Sequence, residues 1–281
     1  MSSKSTGLSA VVGAVLLFAP LQVEAQTISP ARSASGDSAG RDVRLFTRAD
    51  AARLLVAAGV VLAVMPNDRS IAARFQRSSV QSNGTLRDAA NTFDAVADPG
   101  VLVLSAGSYF LGLATHSRPV ASLGMHTGEA IVMGGAITQI MKGAFGRARP
   151  SISPTDARDF QSGKGFGNDD FGSFPSGEVT IAFATATAAS REVSRSWPGA
   201  ARYVTPASYG AATLVGFARL YKNQHWASDV VAGAAVGTMS GILFDRYNQR
   251  YPHNIFNRVF LPSSIVPDHG RLAVAWLLPL Q

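Results

Sequence analysis

The strongest constraint on the fold is a succession of apolar, Ala- and Gly-rich stretches, each long enough for one helix and each closed by helix-breaking residues. Pairs such as Pro66-Asn67 and Asn83-Gly84 separate them. Apolar side chains recur with helical spacing, and strand-like alternation is not found before the C-terminal tail. We therefore expect one all-α domain, with helices at about 48–65, 100–115, 124–142, 178–194, 204–220 and 227–247.

The two ends of the chain differ in character from its middle. Lys4 precedes an apolar run from Leu8 to Ala19, and the small residue Ala25 follows, which is the layout of a cleavable secretory signal. An uncleaved membrane anchor is the alternative. We predict a signal peptide at 1–25, a flexible Ser/Ala/Gly-rich leader at 26–42, the helical domain at 43–250 and a C-terminal extension at 251–281. Within the extension, RLAVAWLLPL is expected to form one short extended segment.

The environment of the helices is left open by the sequence. Most uninterrupted apolar runs have about 12 to 17 residues, whereas a membrane span needs about 20. Small residues suit close helix packing in water and in lipid alike. A water-soluble bundle in the exported compartment and a bilayer-embedded bundle are both compatible with this pattern. Oligomeric state is open as well.

Composition narrows the chemistry. The chain has no Cys, which excludes disulfides, thiolate catalysis and Cys-ligated zinc. Its formal net charge of +7 favours anionic partners such as phosphate esters or lipid headgroups. Nucleic acid carries the same charge, but we identify no nucleic-acid-binding motif and expect no such partner. The histidines outside the motifs below are scattered, without the spacing of a metal site.

Three short motifs carry groups suited to phosphate chemistry. The first, KGAFGRARP, places Lys142 at a helix end and Arg149 in the following loop, because Pro150 disfavours helical geometry at Arg149. The two cations can converge on one anion, or they can simply complement a helix dipole.

The second motif is PSGE, at 175–178. Ser176 stands at the expected N-cap of a helix, and Gly177 allows backbone to approach a ligand closely. Together they describe an anion cradle at a helix N-terminus. A plain helix cap, with Glu178 complementing the dipole, is the alternative.

The third motif, ARLYKNQHWASD, contains Arg219, His225 and Asp229. His225 and Asp229 are four residues apart, so the carboxylate can accept a hydrogen bond from one imidazole nitrogen and leave the other free as a base or nucleophile. Arg219 supplies a planar, phosphate-binding guanidinium. A surface His–Asp pair without a chemical role is the alternative.

In this order, the motifs resemble the three-part signature of the type 2 phosphatidic acid phosphatase and vanadium haloperoxidase superfamily. The resemblance covers about residues 124–245 and implies that family's six-helix core, with the active site at helix ends on one side of the bundle. It also implies a metal-independent phosphohydrolase. Its substrates would be phosphomonoesters, lipid phosphates or lipid pyrophosphates, met in the periplasm or at a membrane.

The resemblance assigns a role to each motif residue. Phosphate oxygens would be held by five residues: Lys142, Arg149, Ser176, Gly177 and Arg219. His225 would attack phosphorus to give a phosphohistidine, which water then hydrolyses, and Asp229 would orient and polarise His225. No cofactor is implied, although the same cradle would accept vanadate as a phosphate mimic.

Two positions depart from the family pattern. Ala218 stands where the family commonly has Ser before the Arg of the third motif. Glu178 stands where the family places a His that protonates the leaving oxygen. Because bound phosphate would repel a carboxylate, we predict that substrate raises the pKa of Glu178 and that the protonated side chain serves as the general acid at acidic pH.

Two other functions remain open at this stage. A phosphate- or phospholipid-binding protein with an impaired catalytic site would retain the cradle and lack the acid. A vanadate-dependent haloperoxidase would use the same cradle for a different reaction, although the chain is short for that group.

Overall fold

The computed structural model describes residues 43–261, 264–268 and 271–275. The predicted signal peptide and leader lie outside the described residues. The described part contains ten α-helices: α1 Arg48–Val64, α2 Asp68–Phe75, α3 Ser78–Gln81, α4 Gly84–Ala95, α5 Val101–Ala114, α6 Arg118–Phe145, α7 Gly177–Ser196, α8 Pro198–Tyr221, α9 Ala227–Arg250 and α10 Ile255–Phe260.

All six helices predicted from the sequence are present, as α1 and α5 to α9. Two of them begin six residues earlier than predicted. A proline lies in the first turn of each, Pro119 in α6 and Pro198 in α8. Proline is favoured there because its missing N–H would have no helical partner at that position. A second proline, Pro206, lies inside α8 without ending it.

The segment between α1 and α5 contains helices that the sequence does not predict. Residues 68–95 are rich in Asp, Arg, Asn and Ser, so they lack a continuous apolar run. The Asn83-Gly84 pair, which the sequence indicates as a break, is also a helix start. The Asn83 side chain caps α4 by accepting a hydrogen bond from the Leu86 amide at 3.1 Å.

Helix α7 lies at the centre of the bundle and packs against α6, α8 and α9. Helix α9 also contacts α6 and α1, and α5 packs against α6. Close approach between α7 and α9 depends on small residues. A Cβ added at Gly237 of α9 would lie 2.2 Å from the carbonyl oxygen of Thr180 in α7. The apolar core is built around this contact, with Val179, Phe183 and Val230 fully or almost fully buried.

The six-helix core predicted above is therefore confirmed. The C-terminal ends of α6 and α8 lie at the same end of the core as the N-terminal ends of α7 and α9. The segment 146–176 joins α6 to α7 at this same end. All three sequence motifs belong to these helix ends and to the segments beside them.

Three helical stretches of the described chain are long and apolar enough to cross a membrane: Arg48–Phe75, Gly84–Ala114 and Ala227–Arg250. The first two are longer than the sequence predicts, because α1 continues through a short 3-10 turn into α2, and α4 continues through a kink into α5. Large apolar side chains are exposed along their outer faces, including Leu55, Leu62 and Leu104.

The described part of the C-terminal tail contains two short strands, and the second of them lies in the segment predicted to be extended. Strand β1, Ser264–Asp268, pairs antiparallel with β2, Arg271–Ala275. The prediction missed β1 because Pro267 interrupts its pattern. These two strands are additional to the helices of the core.

Candidate active site

The three motifs meet at one end of the bundle. Helix α6 ends at Phe145, and Gly146 follows with a left-handed backbone (φ 57°), which turns the chain out of the helix. Lys142 lies in the last turn of α6 and is buried. A Cβ added at Gly177 would lie 3.5 Å from Lys142 Nζ, so the first and second motifs are in contact. Lys142 is also within electrostatic range of Glu178, Arg149 and Arg219.

Arg149 lies in the loop after α6 and links the first motif to the third. Its Nε donates to the Asp169 carbonyl oxygen at 2.7 Å, and its Nη1 donates to Gln224 Oε1 at 2.9 Å. Gln224 immediately precedes His225. These contacts fix the guanidinium beside the segment that carries the histidine.

Ser176 is the N-cap of α7, as predicted, but its hydroxyl makes no capping hydrogen bond. Its Oγ is buried and has no hydrogen-bond partner among the described residues. A buried hydroxyl without a partner costs free energy unless a ligand satisfies it. The Ser176 amide instead donates to the carbonyl oxygen of Asp229 at 3.1 Å, which joins the start of α7 to the start of α9.

Arg219, in the last turn of α8, is held from two sides. Its Nη1 donates to Asp94 Oδ1, and its Nη2 lies 2.9 Å from Glu178 Oε1. Asp94 also accepts a hydrogen bond from Lys222 one turn along. The Nε of Arg219 is buried without a partner in the described part of the chain. Arg219 therefore retains a donor for a further anion.

Glu178 contacts both Arg219 and His225. Its Oε2 lies 3.2 Å from His225 Nε2, while Oε1 faces Arg219. Burial raises the pKa of Glu178, but the hydrogen bond to His225 and the charges of His225 and Arg219 lower it more. The net pKa is well below its ordinary value. Without a ligand, Glu178 is therefore an ionised carboxylate.

His225 is almost fully buried, and its Nδ1 makes a contact that the sequence did not predict. We expected Asp229 to accept a hydrogen bond from the ring. Nδ1 is instead 2.8 Å from the carbonyl oxygen of Ser173 and 3.9 Å from Asp229 Oδ2, which is too far for a hydrogen bond. The Ser173 carbonyl takes this place because Ser173 lies against both side chains, and its hydroxyl donates to Asp229 Oδ2 at 2.6 Å. Asp229 acts on His225 through its charge at 3.9 Å.

Asp229 is fully buried and has other partners. Its Oδ1 accepts from Arg147 Nη1, and its Oδ2 accepts from Ser173 Oγ at 2.6 Å and from the Trp226 amide at 2.8 Å. Arg147, also fully buried, reaches on to Asp68 Oδ2 in α2 at 2.7 Å. The Asp229 carboxylate thus lies beside His225 within a buried network of ion pairs and hydrogen bonds. Its charge would stabilise a positive imidazole.

Sequence reasoning missed Arg147, Asp68, Ser173 and Asp94. Arg147 lies inside the first motif and Ser173 lies next to the second, so their positions in the sequence could have indicated that they belong to the site. Asp68 and Asp94 lie far from the motifs along the chain, and nothing in the sequence links them to the site.

The site as a whole suits an oxyanion rather than a cation. Lys142 and Arg219 interact with the carboxylate of Glu178, and Arg149 lies within electrostatic range of Lys142. The Ser176 hydroxyl adds a polar group without a partner among the described residues. A tetrahedral oxyanion such as phosphate, or vanadate as its mimic, has the negative charge and the several acceptor oxygens that these donors can bind.

Comparisons with known proteins agree with this assignment. Residues 123–251 match the model of the PAP2 superfamily. A lipid A 1-phosphatase of Porphyromonas gingivalis is 35% identical over 112 residues, which are 40% of this chain and 20% of that protein. The chain thus matches only a fifth of that relative's length.

The fold has a solved counterpart in a transmembrane PAP2 type phosphatidylglycerolphosphate phosphatase from Bacillus subtilis. The match has a TM-score of 0.53 at 16% sequence identity and covers 73% of this chain and 98% of that chain. At this identity it shows a shared fold. Residues 123–251, which contain all three motifs, thus match the PAP2 superfamily, the family that the motifs resemble.

Proposed function

We propose that the protein is an exported, membrane-embedded phosphohydrolase that cleaves lipid phosphates or related phosphomonoesters through a phosphohistidine. One observation carries this proposal: the Nε2 of His225 and the Nη2 of Arg219 face the same anionic group, the carboxylate of Glu178. A phosphoryl group in that position would meet a nucleophile and a guanidinium together.

The attack requires a lone pair on His225 Nε2. Nδ1 of His225 donates its proton in a hydrogen bond to the Ser173 carbonyl, so the neutral tautomer carries its lone pair on Nε2. Nε2 forms a bond to phosphorus as the bond to the ester oxygen breaks. The ring becomes positively charged, and the carboxylate of Asp229, 3.9 Å from Nδ1, stabilises it.

The transferred group is held by cations throughout. Lys142, Arg149 and Arg219 balance the charge on the nonbridging oxygens, with the Ser176 hydroxyl and the Gly177 amide as further donors. Such donors can replace a metal ion in stabilising phosphoryl transfer. We therefore propose that no metal or other cofactor is required and that vanadate binds as an inhibitor.

Glu178 is the candidate general acid. Once protonated, it gives its proton to the departing ester oxygen, and the resulting carboxylate takes a proton from the water that cleaves the N–P bond. Phosphate leaves, His225 is restored, and the protons balance over the cycle. This role requires the pKa of Glu178 to be higher in the substrate complex than in the unliganded protein. Bound phosphate shifts the pKa in that direction, because its negative charge repels the carboxylate.

A lipid substrate is favoured by the surroundings of the site. Exposed apolar side chains occur at the same end of the bundle, including Phe145, Ile152 and Phe166. The stretches Arg48–Phe75 and Gly84–Ala114, both able to cross a membrane, are largely exposed and present apolar faces that lipid would cover. The match to a lipid A 1-phosphatase supports this substrate class.

Phosphate release from a panel of lipid and soluble esters, measured over a wide pH range, tests the proposal. Release should persist with a chelator and vanish in His225→Ala. His253→Ala is the matched control, because His253 is exposed and outside the site. Activity that survives His225→Ala but is lost with chelator would overturn the proposal.

A second function deserves a test because Glu178 occupies the space between His225 and Arg219. A phosphate- or phospholipid-binding protein without turnover would retain the same cradle. Calorimetry showing phosphate binding, together with no release from any ester in the panel, would favour this alternative.

A further inference from the structure

The carboxylate of Glu178 makes the contacts that a bound phosphoryl group would need. Its two oxygens divide between Arg219 Nη2 at 2.9 Å and His225 Nε2 at 3.2 Å. Arginine binds carboxylate and phosphate with the same planar fork, so the two anions are interchangeable partners for Arg219. A phosphoryl group cannot occupy this position while the carboxylate is there.

The contact also blocks the nucleophile. Nδ1 of His225 must donate, because the Ser173 carbonyl can only accept. A hydrogen bond between Nε2 and Glu178 then needs a proton on Nε2 or on the carboxyl group. In either case the Nε2 lone pair is unavailable for attack.

The groups around Glu178 favour its ionised form. Arg219 on α8 and His225, just before α9, contact its carboxylate, and Lys142 on α6 attracts it. The other charged groups near these cations are Arg149 and Asp169 on the 146–176 segment, Asp94 on α4 and Asp229 on α9. The same cations would bind a substrate anion. Glu178 and substrate therefore compete for one set of charges.

We propose that Glu178 is a built-in competitor for the phosphoryl position and sets which anions the site admits: an anion enters only in exchange for this carboxylate. The Glu178 side chain is 22% exposed, so it has access to solvent into which it can rotate. This inference rests on the proposed function for its meaning, but it concerns binding and does not require turnover.

The exchange links anion binding to protonation. The lowered pKa of Glu178 reflects its contacts with His225 and Arg219, and a bound anion removes those contacts and adds repulsion. The pKa of Glu178 must then be higher in the complex than in the free protein. Binding therefore takes up a proton, and affinity should rise as pH falls, by up to about tenfold for each pH unit between the two pKa values.

Sulfate binding measured by calorimetry tests the proposal, because sulfate keeps its double charge throughout the working pH range. At pH 7, Glu178→Gln should bind sulfate at least tenfold more tightly than the wild type. Glu178→Asp keeps the charge but is one methylene too short to reach both partners, so it should also bind more tightly. Asp170→Asn removes an exposed acidic side chain at the same end of the protein and should change the affinity by less than twofold.

The proposal fails if Glu178→Gln and the wild type bind sulfate equally at pH 7. It also fails if only Glu178→Gln gains affinity while Glu178→Asp behaves as the wild type, since that result would indicate general charge repulsion. Either result can be read whether or not the protein hydrolyses any ester. Should Glu178→Gln not fold, Glu178→Asp and the pH dependence of the wild type decide the question.

Discussion

The hydroxyl of Ser173 donates a 2.6 Å hydrogen bond to Oδ2 of Asp229. The carbonyl of the same residue accepts from Nδ1 of His225 at 2.8 Å. One residue thus fixes the two members of the His–Asp pair relative to each other. Asp229 is consequently part of a buried hydrogen-bond network as well as a charged neighbour of the nucleophile.

Replacing Asp229 by Asn should lower stability as well as activity. Each carboxylate oxygen accepts from a donor, Arg147 on one side and Ser173 with the Trp226 amide on the other. An amide NH₂ in either position would face an N–H, leaving buried donors without acceptors at a cost of about 1–3 kcal/mol. Thermal unfolding in detergent measures this, with Asp170→Asn as an exposed control. Wild-type stability in Asp229→Asn would contradict the network.

Asp94 should act as a positioning residue for Arg219. Asp94→Ala removes the acceptor that holds Nη1, and we expect kcat/KM to fall about tenfold, the effect of one lost charged hydrogen bond. Asp94→Asn retains an oxygen acceptor in the same place and should keep most of the activity. Steady-state kinetics on one lipid phosphate compares the two. Equal losses in both variants would mean that charge, rather than position, is what Asp94 supplies.

Glu178 should limit turnover to acidic pH. Glu178→Gln cannot donate a proton, so its kcat on an alkyl phosphate should fall by about 10² or more, while its KM falls because the competing carboxylate is gone. Glu178→His should move the activity optimum toward neutrality. Esters with good leaving groups need no proton and should be affected least. An unchanged pH–rate profile in Glu178→Gln would remove the acid role.

The stability contribution of Glu178 should depend on pH. Its pKa in the folded protein is below the ordinary value of 4.5, so its contribution is complete above that value and declines as pH falls further. The wild type should therefore exceed Glu178→Gln by about 1–2 kcal/mol at pH 7, the worth of charged hydrogen bonds. This difference in stability should shrink as the pH falls below the ordinary pKa of 4.5. Unfolding midpoints at several pH values without added anions measure it, and a constant difference would be the contrary result.

The outer face of α1 should lie in lipid. Leu55 is among the most exposed apolar residues of the described chain, and Leu55→Lys would place a charge in the bilayer at a cost of about 2.5–3.5 kcal/mol. Less protein should then resist alkaline extraction from membranes. Thr155→Lys, at an exposed polar position outside the three candidate spans, is the control. Full release of the wild type by alkali would show that the bundle does not span.

The six core helices could be predicted because each is an apolar run ended by Pro, Gly or Asn. The participation of Lys142, Arg149, Ser176, Gly177, Arg219, His225 and Asp229 in one site could be predicted from motif order. Helices α2 to α4 could not, because their stability comes from packing and from caps such as Asn83 rather than from an apolar run.

The contacts within the site were less accessible to sequence reasoning. Spacing alone suggested that Asp229 bonds to His225, yet the backbone of Ser173 lies close enough to take that bond. Asp68 and Asp94 enter the site from parts of the chain 160 and 125 residues from their partners Ser228 and Arg219. Such pairings depend on how helices pack, which no local pattern records.

The most direct test of the central claim is to trap the phosphorylated enzyme. Wild-type protein mixed with a ³²P-labelled lipid phosphate and quenched in alkali should carry label that is stable to base, labile to acid and located in the peptide containing His225. His225→Ala should carry none, and His253→Ala should match the wild type. Turnover by His225→Ala, or label on another residue, would contradict the phosphohistidine mechanism.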